Sequence, residues 1–218
     1  MKKIIYILAL LPIILASCVD NNFHDTGLAN GDHDCSLLDY LKSDHKNYDS
    51  LVPLIQQAGL EQLFEGNDPA YPEITFFAPT NMSIIHYLDN NKDDSGNRLY
   101  TSVSDIPANE CRQMLLSYII TGKHKRTDFA YEVKGTLEGG TPYTTLTNLT
   151  LRAYRIKGSW NGVSDIGPDG IGIHFIESGF IGRIASGDIN TINAVVHALS
   201  TEYELVNPTI YTLNNENK

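Results

Sequence analysis

The sequence predicts an α+β fold, with helices first and strands later, and three observations carry that expectation. Ile74 to Ala78 is an apolar, β-favouring run with Thr75 as its only polar member. It passes at once into Ile84, Ile85 and Leu88, a stripe at helical spacing. Upstream the apolar residues recur at helical intervals, and from Tyr143 onward their period changes to two.

The chain begins with an expected signal peptide, residues 1–17. Lys2 and Lys3 form a basic start, and Ile4 to Leu15 an apolar stretch shorter than the ~20 residues of a comfortable membrane span. Leu15-Ala16-Ser17-Cys18 matches the bacterial lipoprotein box. The small residues admit the peptidase, and the Cys18 thiol takes the diacylglycerol. A plain signal peptide with a chance cysteine is the alternative. Two or three acyl chains make a stable anchor where one does not. Residues 18–34 are polar and read as a flexible tether. Residues 35–206 read as one domain and 207–218 as a polar tail.

Within the domain, Ser36 is placed to cap a short helix, with Asp39 at the capping-box position and Leu37, Leu38 and Leu41 turned inward. Ser50 opens a second helix, with Pro53 in its first turn, where a missing amide hydrogen costs nothing. Leu51, Leu54, Ile55 and Ala58 form its stripe, and Gly59 ends it. Leu60, Leu63 and Phe64 make another short turn. Pro79 stops the Ile74–Ala78 strand, and Thr80 caps the helix after it. Asp89, Asn91 and Asp93 alternate like the start of a calcium loop. However, Asp94 stands where the turn glycine belongs and Tyr100 where the bidentate glutamate belongs. A solvated loop is expected there. Asn109 to Ile120 reads as a helix with Cys111, Met114, Leu115 and Tyr118 on one face, stopped by Gly122. Leu149, Leu151 and Ala153 alternate with Thr150, Arg152 and Tyr154, as in a strand with one wet face. A loop rich in Gly, Asn and Asp holds Trp160. Ile171 to Ile176 then resumes as a strand, and Val195 to Leu199 is a closing core strand.

The formal net charge of −10 becomes −12 once residues 1–17 are removed, since that takes Lys2 and Lys3 and no acid. Such a chain is repelled by phosphate backbones, which sets nucleic acid aside as a partner. Cys35 and Cys111 remain after Cys18. Export permits a bridge between them, while burial of Cys111 as a small hydrophobe on its helix face is the blander account.

No serine elbow, phosphate loop or zinc-protease motif is present, and no catalytic residue, metal or cofactor is expected. Asp32-His33-Asp34 lacks further ligands at fixed spacing. His197, between apolar neighbours, reads as a hydrogen-bonded structural residue. Lys123-His124-Lys125-Arg126 is a basic cluster. It reads as a solvated helix end suited to the dipole, with an anionic sugar or lipid phosphate as the alternative ligand. Trp160 offers a flat apolar face among hydrogen-bonding groups, the combination that sugars need. A lid folded back on the domain is the other reading.

Two segments resemble a known family. Thr75-Phe76-Phe77-Ala78-Pro79-Thr80-Asn81 is similar to the first signature of the fasciclin-like adhesion domain, and Asp188-Ile189-Asn190-Thr191-Ile192-Asn193-Ala194-Val195-Val196-His197-Ala198-Leu199 to the second. Order and spacing agree, and the resemblance covers about Leu37 to Leu205. It implies helices packed on a β-wedge of two small sheets. It also implies binding positions. Tyr118 falls in the family's Leu-x-Tyr-His segment, with Ile119 in place of the histidine. Asp188 and Ile189 match a pair used in receptor recognition by adhesive relatives, while Ile189 as a core residue and Asp188 as the residue fixing a turn is the other reading. Ala194 replaces the family's glycine, a strain of about 1 kcal/mol if that position needs positive φ.

The function expected from the resemblance is non-enzymatic: a lipid-anchored envelope protein mediating extracellular adhesion or protein or glycan interaction. The expected partners are the membrane, through the anchor, and an unknown protein or glycan. The expected location is the outer membrane, surface-exposed, with the periplasmic face as the alternative. A glycan-binding accessory lipoprotein of an outer-membrane uptake system is the second expectation, and a small-molecule enzyme working in a cleft is the third.

Overall fold

The protein is described from a computed structural model, and the structure describes residues 31–209. Cys18, the signal peptide and most of the expected tether lie outside the described residues, as do residues 210–218 of the expected tail.

Four short helices open the domain: α1 (Leu37–Ser43), α2 (His45–Tyr48), α3 (Leu51–Gln57) and α4 (Glu61–Phe64). Ser36 caps α1 as expected, its Oγ accepting from the Asp39 amide at 3.1 Å. Ser50 precedes α3 without a side-chain cap, and Gly59 ends that helix at φ +63°. Then follow β1 (Ile74–Ala78), α5 (Asn81–Asn90), α6 (Ala108–Ser117) and β2 (Ile119–Thr121). The remainder is sheet: β3 (Thr141–Thr144), β4 (Thr150–Lys157), β5 (Asp169–Phe175), β6 (Ile181–Asn190) and β7 (Ala194–Leu199).

The helix after β1 presents Ser83, Ile84 and Tyr87 to the core, whereas Ile85 is exposed. The inward face is therefore turned from the expected Ile84–Ile85–Leu88 stripe. The helix of Cys111 and Met114 ends at Ser117 rather than Ile120. The β-branched Ile119 and Ile120 leave it to pair with Phe76 and Thr75 of β1.

β1 and β7 are parallel neighbours, with Phe76 opposite Val196 and Phe77 opposite His197. The two signature segments are thus adjacent strands of one sheet. Its order is β2-β1-β7-β6-β5-β4-β3, a single hydrogen-bonded series of seven strands instead of the two small sheets expected. The long β6 is the reason. It pairs with β5 on one side and β7 on the other, with register shifts between Ile184 and Ser186 and between Ser186 and Ile189 that bend it without breaking the ladder. The series then curls until its two edges meet. Ile120 of β2 bridges Thr145 just beyond β3, and the Leu146 amide donates to the Ile119 carbonyl at 3.0 Å.

Phe64, Phe76, Ile84, Leu115, Tyr118, Phe175 and Val196 fill one interior between the helices and the sheet. Asn193 is its polar staple: its Oδ1 accepts from the Leu37 amide at 2.8 Å and its Nδ2 donates to the Phe64 carbonyl at 3.2 Å. Cys111 is buried and Cys35 half-buried, both as free thiols. The Cys111 thiol donates weakly to the Ile106 carbonyl, and burial pushes its pKa up to about 11.

The expected wet face of β4 is covered. Arg152 and Tyr154 are buried, because the 137–140 loop folds over them and the Arg152 guanidinium donates to the carbonyls of Leu137, Glu138 and Gly139. The last residues of the expected tether are ordered too. The Asn190 amide donates to the Gly31 carbonyl at 2.6 Å, and the His33 amide to the Asn190 carbonyl at 2.8 Å. At the other end Asn207, expected in the polar tail, is buried.

Candidate functional site

One end of the sheet gathers most of the residues singled out from sequence. The last rung of β4–β5 is Lys157–Asp169, and β6 runs past Ile171 toward the same end, where Asp188 and Asn190 lie. Arg126 joins the two. Its amide donates to Asp188 Oδ1 at 2.6 Å and its guanidinium to the Asp169 carbonyl at 2.9 Å.

Asp188 holds φ +61°, a left-handed conformation that aspartate tolerates better than most residues. Its amide donates to Nδ1 of His197 at 3.3 Å. The other ring nitrogen of His197 lies 3.0 Å from the His124 carbonyl, which can only accept. The histidine is therefore neutral, with its proton on Nε2. It is fully buried and stacked on Phe77, and burial holds its pKa below the usual histidine range. Gly187 makes this approach possible, since a Cβ there would lie 2.9 Å from His197 Nδ1 and 2.8 Å from Ile171 Cδ1. Ile189 is half-buried against the core, opposite Val196. Ala194 has no positive φ, so no strain falls on the residue that replaces the family's glycine.

Between these groups lies a cleft of about 170 Å³, lined by Arg126, Asp169, Ile171, Gly187 and Asp188 among others. It is small against the few hundred Å³ of a typical small-molecule site. A second groove of about 380 Å³ sits elsewhere, lined by His86, Asn90, Phe180, Glu202, Tyr203 and Glu204, and its lining holds no serine, threonine or cysteine. Among the described residues, no group of three or more His, Cys, Asp and Glu is placed to hold a metal ion. Asp89, from the calcium-like stretch, is paired with Arg98 at 2.6 Å.

The basic cluster is not the helix end that was expected, because β2 precedes it. Lys123 instead caps the β6–β7 turn, donating to the carbonyls of Thr191 at 2.6 Å and Ile192 at 3.3 Å. Thr75 fastens the same segment, donating to the Gly122 carbonyl at 2.7 Å and accepting from the His124 amide at 2.8 Å.

Tyr118 is removed from this end and has no exposed surface. Its ring meets Phe175 edge-on, and its hydroxyl accepts from the Val206 amide at 3.2 Å. Those contacts place it in the core, not on a binding surface. Trp160 is the opposite case, at 61% exposure, so it is not a lid folded back on the domain. It heads a tight hairpin in which Trp160 and Val163 exchange both backbone hydrogen bonds at 2.9 Å. Asn161 and Gly162 form the turn at φ +49° and +79°, the primed geometry that an Asn-Gly pair favours.

Arg126 and Gly187 are the members of this end that sequence reasoning did not place in it. Asn161-Gly162 was the legible signal for the hairpin.

The comparisons with known proteins agree with these two central segments. The family model of the fasciclin domain matches residues 46–201. A comparison with curated proteins found no match. Among solved structures, a FAS1 domain pair from the insect cell adhesion molecule Fasciclin I is similar at 15% identity and a TM-score of 0.42, covering 79% of this chain. This chain spans 45% of that structure's length. With the family match running through both signature strands and most of the sequence, the chain belongs to the fasciclin-domain family, a family associated with cell adhesion.

Proposed function

We propose that the protein is a non-enzymatic adhesion or interaction module, held at the outer membrane by acylated Cys18 and turned toward the cell exterior. The observation that carries this reading is the fasciclin domain itself, residues 46–201, downstream of a lipoprotein box at Leu15–Cys18. No helix among the described residues is long and apolar enough to cross a membrane, and the reading gives membrane attachment to acylated Cys18. The binding surface is the sheet end around Asp188, where Arg126 and the Asp188 carboxylate present opposite charges beside half-buried Ile189.

Two measurements test it. Cys18→Ser should move the protein from the membrane fraction to the soluble one, and continued flotation with lipid contradicts the anchor. Cells lacking the protein should adhere less to immobilised extracellular protein, and restored adhesion should need Asp188. Equal adhesion with and without the protein contradicts the adhesive role. A second reading, glycan binding, is favoured by the exposure of Trp160 beside Asn161 and Ser164. A glycan array comparing wild type with Trp160→Ala tests it, and only a specific sugar signal lost in the variant supports it.

A further inference from the structure

We propose that the tip of the β4–β5 hairpin contacts the bilayer that carries the anchor, seating Trp160, Val163 and Ile166 among the lipid headgroups. The inference rests on the reading of Cys18 as the acylated residue.

The first argument is where the chain enters the domain. Gly31 and His33 are hydrogen-bonded to Asn190, at the end of β6. The hairpin, residues 158–168, springs from the Lys157–Asp169 rung at that same end, and Arg126 bridges Asp169 to Asp188. The 13 residues from Cys18 to Gly31 reach at most about 45 Å when fully extended. The anchor therefore holds this end of the sheet near the bilayer. A link this short gives an effective concentration on the order of millimolar, so even a weak second contact becomes populated.

The second argument is what the tip displays. Trp160, Val163 and Ile166 are 61%, 53% and 61% exposed. As a directly opposed, hydrogen-bonded pair, Trp160 and Val163 present their side chains on one face of the hairpin. Ile192, in the β6–β7 turn at the same end of the sheet, is 66% exposed, with the Lys123 ammonium against the carbonyls of that turn. A tryptophan flanked by aliphatics, with a lysine beside them, is the composition found at the water–lipid boundary. Sugar stacking would use Trp160 but gives no role to Val163 or Ile166.

The third argument is charge. The carboxylates of the hairpin are answered from within the fold. Lys134 pairs with Asp165, while Tyr131 donates to Asp169 at 2.7 Å and Arg155 lies 3.9 Å from it. The tip therefore meets an anionic headgroup layer without unopposed negative charge, although the chain without residues 1–17 carries −12.

Trp160 is the only tryptophan in the chain, so its fluorescence reads the tip alone. The experiment uses the full lipidated protein in vesicles of phosphatidylethanolamine and phosphatidylglycerol, with and without lipids brominated near the headgroup. The expected result is blue-shifted Trp160 emission that brominated lipid quenches. Val163→Ser/Ile166→Ser, with its fold checked by circular dichroism, should shift the emission back toward the red and lose the quenching. Protein that floats with the vesicles but keeps water-like, unquenched emission overturns the hairpin contact and leaves the anchor standing. Protein that does not float overturns the anchor reading and the inference with it. Emission that answers a soluble oligosaccharide but not brominated lipid assigns the tip to glycan and also overturns the proposal.

Discussion

The amide of Asp188 donates to Nδ1 of His197, and this one bond ties the irregular end of β6 to the neighbouring strand β7. It exists only while the imidazole is neutral, because a protonated Nδ1 has no lone pair to offer. Burial lowers the pKa of His197, and burial aided by Arg152 lowers that of His174. For a histidine lowered in the folded state, the unfolded chain binds more protons as the solution is acidified. Stability from these two residues is present above about pH 6.5, the unfolded value, and is lost as pH falls toward their folded values. The melting temperature should therefore drop between pH 7.5 and 5. His197→Gln should be less stable at pH 7.5 but show a shallower drop. A wild-type melting temperature that stays level over this range contradicts the assignment.

Asn193 joins three parts of the chain that are far apart in sequence. Asn193→Ala leaves the Leu37 amide and the Phe64 carbonyl buried without a partner, at about 1–3 kcal/mol for each group. Urea unfolding should show a loss of about 2–4 kcal/mol with the m-value unchanged. A loss below about 0.5 kcal/mol, as at an ordinary surface site, would show that water replaces the staple without penalty.

Gly187 and Gly59 should respond to alanine for different reasons. At Gly187 the new methyl meets His197 and Ile171 at under 3 Å, and overpacking of this kind destabilises by about 1–3 kcal/mol. At Gly59 a Cβ meets nothing within 4 Å, and the φ of +63° is what resists, at about 1 kcal/mol. Only Gly187→Ala should disturb the His197 environment, seen as altered imidazole shifts by NMR. Equal shifts in both variants contradict this.

Asp188 separates backbone shape from charge. Asp188→Asn keeps an oxygen for the Arg126 amide and tolerates positive φ, and it loses only a half-exposed ion pair at 3.7 Å, a type of contact worth about 0–1 kcal/mol. Asp188→Ala loses the acceptor and is strained by its φ, so it should be destabilised by about 1–2 kcal/mol more than Asp188→Asn. If both variants retain fold but lose adhesion, the carboxylate faces a partner. If only the alanine variant loses adhesion, its role is to shape the turn.

The centre of the fold was legible because β1 and β7 are buried on both faces, which leaves apolar runs broken only by Thr75 and His197 that sequence displays openly. The caps at Ser36 and Thr80 were legible because they act across three residues. β2 was not. Ile119 and Ile120 continue the helical period of Cys111 and Leu115, and only the neighbouring β1 makes them a strand. The burial of Arg152 was hidden for a similar reason, since a loop more than a dozen residues upstream folds over it. At the candidate site, Asp188 and Trp160 could be named but not their settings. Arg126 reaches Asp188 across 62 residues, and nothing local in either segment announces the other. Tyr118 matched its segment by position, yet the loss of its neighbouring histidine accompanies a side chain turned wholly inward.

Protease treatment of intact cells bears most directly on whether this domain is an anchored binding body on the outside of the cell. The anchored, outward arrangement predicts that the fasciclin domain is cut from living cells while an acylated peptide bearing Cys18 stays in the membrane. A domain that survives until the envelope is broken, or that leaves with no acylated remnant behind, contradicts it.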